Sequence, residues 1–126
     1  MVDQVWPLAR ALIKSAVDRT GLSDFATIES EVMSGAQLLW LACNGASIEA
    51  AATTRLVRVS GRKICELVAC GGKDRARWLP LLDGIEDYAR EEGCAEMRIF
   101  GRKGWERVLS GYRAQHVILG KDLNGR

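Results

Sequence analysis

The residues best suited to chemistry lie between positions 64 and 78. Glu66 stands inside an apolar run, with Ile64 before it and Leu67 and Val68 after it. A carboxylate in such surroundings is a candidate for proton transfer, because burial penalises its charged form. It is equally a candidate for an ion pair with an arginine such as Arg55 or Arg58. A few residues on, Lys73, Arg75 and Arg77 gather positive charge where a helical pattern begins. Basic residues at a helix N-terminus can hold an anion, although a short basic loop is most often solvated surface. Gly71-Gly72-Lys73 lacks the spacing and the hydroxyl of a phosphate-binding P-loop.

The other reactive side chains are scattered. Cys43, Cys65, Cys70 and Cys94 form no Cys-x-x-Cys pair, and the only histidine, His116, is remote in sequence from Cys43. A structural zinc site is therefore not expected, and the cysteines read as small buried hydrophobes. Cys70 would be nucleophilic only if the basic loop lowered its pKa. His116 could serve as an acid or base, but a lone histidine on a strand is usually structural. The segment GRKGWER mixes basic and aromatic residues as single-strand binders do. Glu106 interrupts it, a helical reading turns Trp105 inward, and the net charge is only +2. No nucleic-acid partner is expected.

Composition bounds the rest. The 126 residues are 48% hydrophobic and 27% charged, which suits one globular domain with its own core. The opening stretch is interrupted by Asp3, Arg10 and Lys14 and does not read as a signal peptide. No apolar run is long enough to span a bilayer. The expectation is a cytoplasmic protein with reduced thiols and no membrane partner.

Periodicity supplies the elements that must position these side chains. Val5, Leu8, Leu12 (with Ile13) and Ala16 recur at helical spacing, so about Val2 to Arg19 reads as a helix, with Pro7 best placed in its first turn. Ser23 or Asp24 caps a second helix carrying Phe25, Ile28 and Val32, and Gly35 stops it. Gln37 to Cys43 reads as a strand followed by an Asn44-Gly45 turn. Ala51 to Val59 and Lys63 to Cys70 form a hairpin. A helix follows from Asp74 or Arg77 to Glu92, with Trp78, Leu82 and Ile85 on one face. Ala95 to Phe100 is a strand, Lys103 to Ser110 a short helix, and His116 to Leu119, extending toward Leu123, a last strand. The fold class is α/β in the α+β sense. Its sheet is mainly antiparallel, with one parallel pair joined by a crossover helix.

The stretch KDRARWLPLLDGIEDYAREEGC, followed by AEMRIF, resembles the core of the GNAT acyltransferase superfamily. In that family an Arg/Gln-x-x-Gly-x-Gly/Ala loop opens a long helix that ends in Ala-Arg/Lys-Glu-x-Gly-Cys before a strand. The closing GYRAQHVILGKDL is similar to the end of many GNAT chains, and the likeness runs from about Gln37 to Leu123. QLLW, TTRLVRV, ACGG and GRKGWERVLSGYR together look like small GNAT-like proteins of phages and prophages.

The resemblance implies acetyl-CoA as cosubstrate and an amine as acceptor. Ile64 to Cys70 would then be the strand that pairs with the pantetheine arm, placing Val68 and Cys70 among the cofactor-binding residues. The pyrophosphate would sit on the loop of Lys73, Arg75, Ala76, Arg77 and Trp78. Ala76 and Trp78 occupy the two glycine positions of the family, and a tryptophan there is the main departure. Glu66 would be the catalytic base or would position a water. The family's usual acid, a tyrosine on the last helix, is missing from Trp105–Arg107, and Tyr112 reads as a packing residue. Two functions follow as expectations: an acyl-CoA-dependent N-acyltransferase, or a non-catalytic GNAT-fold module of phage origin. Either allows a homodimer.

Overall fold

Local chemistry sets most of the boundaries of the first two helices. The computed structural model describes residues 2–45, 47–72, 75–101 and 103–124, with the backbone alone for Arg75, Ala76, Lys103 and Gly104. Helix α1 (Val2–Thr20) begins at Val2, so Pro7 lies inside it rather than in its first turn. The ring removes one backbone hydrogen bond, and burial of Trp6, Ala9, Ile13, Ala16 and Val17 offsets that loss. This stripe is rotated from the expected one. Trp6 has the most apolar surface to hide and takes the inward position, while Leu8 stays 65% exposed. Helix α2 (Phe25–Ser34) is capped by the Asp24 carboxylate, which accepts from the Thr27 amide at 3.1 Å. Gly35, at φ +87°, ends it in the left-handed region.

Four strands follow in spatial order: β1 (Leu38–Asn44), β2 (Ser47–Val59), β3 (Arg62–Gly72) and β4 (Glu96–Ile99). The first three form an antiparallel meander. Ser60 and Gly61 both have positive φ, 52° and 78°, as a two-residue type I′ hairpin requires. Strand β2 starts at Ser47, earlier than expected from its apolar run, because Ser47 and Ile48 find partners on β1. Helix α3 (Arg75–Glu91) connects β3 to β4, and these two strands pair in parallel from Ile64↔Glu96 to Leu67↔Ile99. The expected parallel pair is present.

The sheet is covered on both faces. Ile13, Val17, Ile28 and Val32 of α1 and α2 pack on Ala51, Val68 and Ala69. On the other face Trp78, Leu82, Ile85 and Ala89 of α3 pack on Ala50, Ala52, Cys65 and Leu67. Alternation along β2 puts Ala51 on one side and its neighbours on the other. Helix α1 lies so close to the end of β3 that a side chain at Gly71 would run into the Leu12 carbonyl. Gly71 is thus a contact residue, and packing against α1, not flexibility of the loop, demands the glycine. Among the described residues no helix is long and apolar enough to cross a membrane.

The C-terminal part departs from expectation. The last helix is a short 3-10 turn, Lys103–Arg107, beyond which Leu109 is still buried. The expected strand at His116–Leu119 does not form, and Val117, Ile118 and Leu119 are 80%, 74% and 91% exposed. Gly111, at φ +83°, turns the chain, and the Glu106 carboxylate holds the Ala114 amide at 2.7 Å. The following residues form no helix or strand, and β4 offers only a four-residue edge.

Candidate functional site

Two irregularities meet on β3 around Val68. In the β2–β3 ladder the partner of Thr53 is Ala69 and that of Thr54 is Leu67, so Val68 is an extra, bulged residue. On the opposite edge, pairing with β4 stops at Leu67↔Ile99, and the Phe100 amide makes the last backbone bond, to the Leu67 carbonyl, at 3.2 Å. From there β3 continues to Gly72 alongside β2 alone, while the chain after β4 diverges. A strand edge is thereby left open to a cleft between residues 67–70 and residues 99–101.

Two tryptophans shape that cleft. Trp78, in the first turns of α3, is 4% exposed and stacks on Trp105, with ring centroids 4.8 Å apart and planes at 26°. Trp105 lies across Gly101, where an added Cβ would fall 2.9 Å from the indole Cδ1. Only a glycine at 101 lets the ring lie so low. The cavity between the two strands has a volume of about 40 Å³, so a ligand arm lying along β3 requires Trp105 to turn off Gly101. Arg19, at the end of α1, supplies a cation at the rim.

Cys70 lines the cleft. Burial pushes its thiol far above the ordinary value, and the nearby charge of Arg19 offsets only part of that rise. The condition for thiolate chemistry, a lowered pKa, is reversed here. Cys65 is pushed up to about 11, first by burial and then by Cys94 and Glu66.

Glu66 lies one residue before the cleft and is 8% exposed. Its carboxylate accepts from Arg55 Nε at 2.7 Å, and Arg55 stands directly opposite on β2. Arg55 also reaches Glu31 of α2 at 3.7 Å, and Gln37 Nε2 donates to the same Glu31 oxygen at 3.1 Å. The structure therefore contains the arginine pairing, and with it a guanidinium that fixes the orientation of Glu66.

The loop residues are placed less favourably for an anion. Lys73 lies outside the described residues, as do the side chains of Arg75 and Ala76. Arg77 is paired with Glu49 at 2.6 Å. Trp78 points into the core with Leu82 and Ile85. Tyr112 donates to Glu86 at 2.5 Å, and burial together with that carboxylate raises its pKa. It packs against α3 as expected, and among the described residues no tyrosine lines the cleft. Sequence reasoning missed Arg19, Gly101 and Trp105 as cleft residues. Only the glycine ahead of a tryptophan carries a local signal, and a weak one.

No family model matches this sequence, and no curated protein is similar to it in sequence. Solved structures do resemble it. A probable acetyltransferase superposes with a TM-score of 0.69 at 14% identity, covering 95% of this chain and 91% of its own. A predicted acetyltransferase with acetyl-CoA from Clostridium acetobutylicum gives 0.67 at 13% identity, covering 95% and 91%. A ribosomal-protein-alanine N-acetyltransferase from Brucella melitensis biovar Abortus 2308 gives 0.66 at 11% identity, covering 94% of each chain. At these identities the likeness shows the fold: a GNAT-like mixed sheet with one parallel pair.

Proposed function

We propose that the protein is an acyl-CoA-dependent N-acyltransferase that moves an acetyl group from acetyl-CoA to an amine. The observation that carries this reading is the open edge of β3 beside the bulge at Val68, where β4 diverges. A pantetheine arm has two amides and can pair with an exposed strand edge as an added strand does. Residues 68–70 would hold the arm, and Lys73 with the first turn of α3, Arg75 to Trp78, would hold the pyrophosphate. Arg77 contributes there once its pair with Glu49 is shared with the phosphate. Acetyl-CoA supplies the activated acyl group. Glu66 accepts the proton that the amine loses, directly or through one water, while Arg55 keeps its carboxylate oriented. With no tyrosine along the cleft, solvent protonates the departing thiolate.

A second reading, a non-catalytic module on the same fold, is favoured by the stacked Trp78–Trp105 pair that narrows the cleft. A thermal melt separates the two. Acetyl-CoA at a hundred times its dissociation constant is expected to stabilise the protein by about 2.7 kcal/mol. No shift in Tm with millimolar acetyl-CoA or CoA would select the non-catalytic reading.

A further inference from the structure

Three described tryptophans differ in what their indole N–H groups meet. Trp6 donates to Glu29 at 2.6 Å and Trp40 to Thr54 at 2.9 Å. Trp78 Nε1 is buried and has no acceptor among the described residues. A buried indole N–H ordinarily finds a partner, and leaving one unpaired is costly. The same side chain lines the cleft beside residues 67–70 of β3. The residue that carries this unpaired donor therefore belongs to the wall of the space assigned to the acyl-CoA arm, with the N–H itself buried behind the lining surface.

We propose that the Trp78 indole N–H is a ligand contact, donating to a carbonyl oxygen of the pantetheine or acyl part of acyl-CoA. The inference rests on the acyl-CoA reading and names a residue that recognises the ligand within it. A carbonyl fits better than a phosphate oxygen. Trp78 is 4% exposed and surrounded by Leu67, Ile99 and the Trp105 ring. Burying a charged phosphate there would cost far more than burying a neutral carbonyl that accepts one hydrogen bond. A tryptophan in the first turn of α3 thus replaces backbone access by a side-chain donor. Packing with Leu82 and Ile85 on the buried face of α3 anchors Trp78 independently of its stack on Trp105.

The test uses calorimetry on the wild-type protein and Trp78→Phe, which keeps an aromatic ring and removes the N–H. Three probes are titrated: acetyl-CoA, S-acetylpantetheine, which lacks the nucleotide, and adenosine 3′,5′-bisphosphate, which lacks the arm. Trp78→Phe is expected to weaken acetyl-CoA and S-acetylpantetheine by about fivefold to tenfold, the worth of one hydrogen bond, and to leave the bisphosphate unchanged. Equal affinities for wild type and variant would overturn this inference while leaving the acyl-CoA reading intact. A loss confined to the bisphosphate would overturn it too, by assigning the donor to a phosphate. Failure of wild type to bind acetyl-CoA would remove the reading itself. Should the variant not fold, the indole N–H resonance of Trp78 in isotope-labelled wild type gives the answer. It is expected to move downfield with S-acetylpantetheine, and an unmoved resonance at saturation overturns the inference.

Discussion

Trp78→Ala is expected to destabilise the domain by about 3–5 kcal/mol, the usual cost of removing a large aromatic side chain from a core. Trp78 joins Leu82, Ile85 and Ala89 on the buried face of α3 and stacks on Trp105. Its loss opens a cavity and also unseats Trp105, which otherwise rests on Gly101. Urea melts of wild type and variant measure the difference, and the variant is expected to bind acetyl-CoA more weakly than wild type. A loss near 1 kcal/mol, accompanied by CoA binding tighter than that of wild type, would mean that the indole only plugs a phosphate cradle.

The second large effect concerns Glu66→Gln. The amide cannot take a proton, so kcat for acetyl transfer to an amine should fall by about 10²–10⁴, the range for losing a general base. Affinity for acetyl-CoA should stay close to wild type, because Glu66 precedes the cleft on β3 and does not line it. Release of free thiol from acetyl-CoA in the presence of amines reports the rate. A variant that keeps kcat within about threefold would reduce Glu66 to the structural partner of Arg55.

Much of the scaffold was legible because its signals are local. Asp24 and Gly35 bound α2 through cap chemistry, Ser60-Gly61 closes a hairpin, and the spacing of Trp78, Leu82 and Ile85 marks the inner face of α3. The parallel pairing of β3 with β4 followed from the crossover helix between them. What the sequence hid depends on distant partners. Val117, Ile118 and Leu119 have strand-like composition, but a strand needs an edge to join, and these residues stay exposed outside the sheet. The rotation of α1 was hidden because Leu8 and Trp6 both fit an apolar stripe, and only the packing of the larger ring decides between them. The cleft was half legible. Glu66, Val68 and Cys70 lie on the strand that resemblance pointed to, whereas the Trp78–Trp105 stack joins residues with no local relation. Arg55 was named as a partner of Glu66 beside Arg58, and the cross-strand register selects it.

The central claim is that acyl-CoA lies along the open edge of β3. Backbone amide hydrogen exchange, read residue by residue with and without saturating acetyl-CoA, tests it most directly. The account predicts that ligand slows exchange at residues 68–70 and at the start of α3, leaving β1 and the Ser60-Gly61 turn unchanged. Saturated protein whose amides at 68–70 exchange as fast as in the free protein would contradict it.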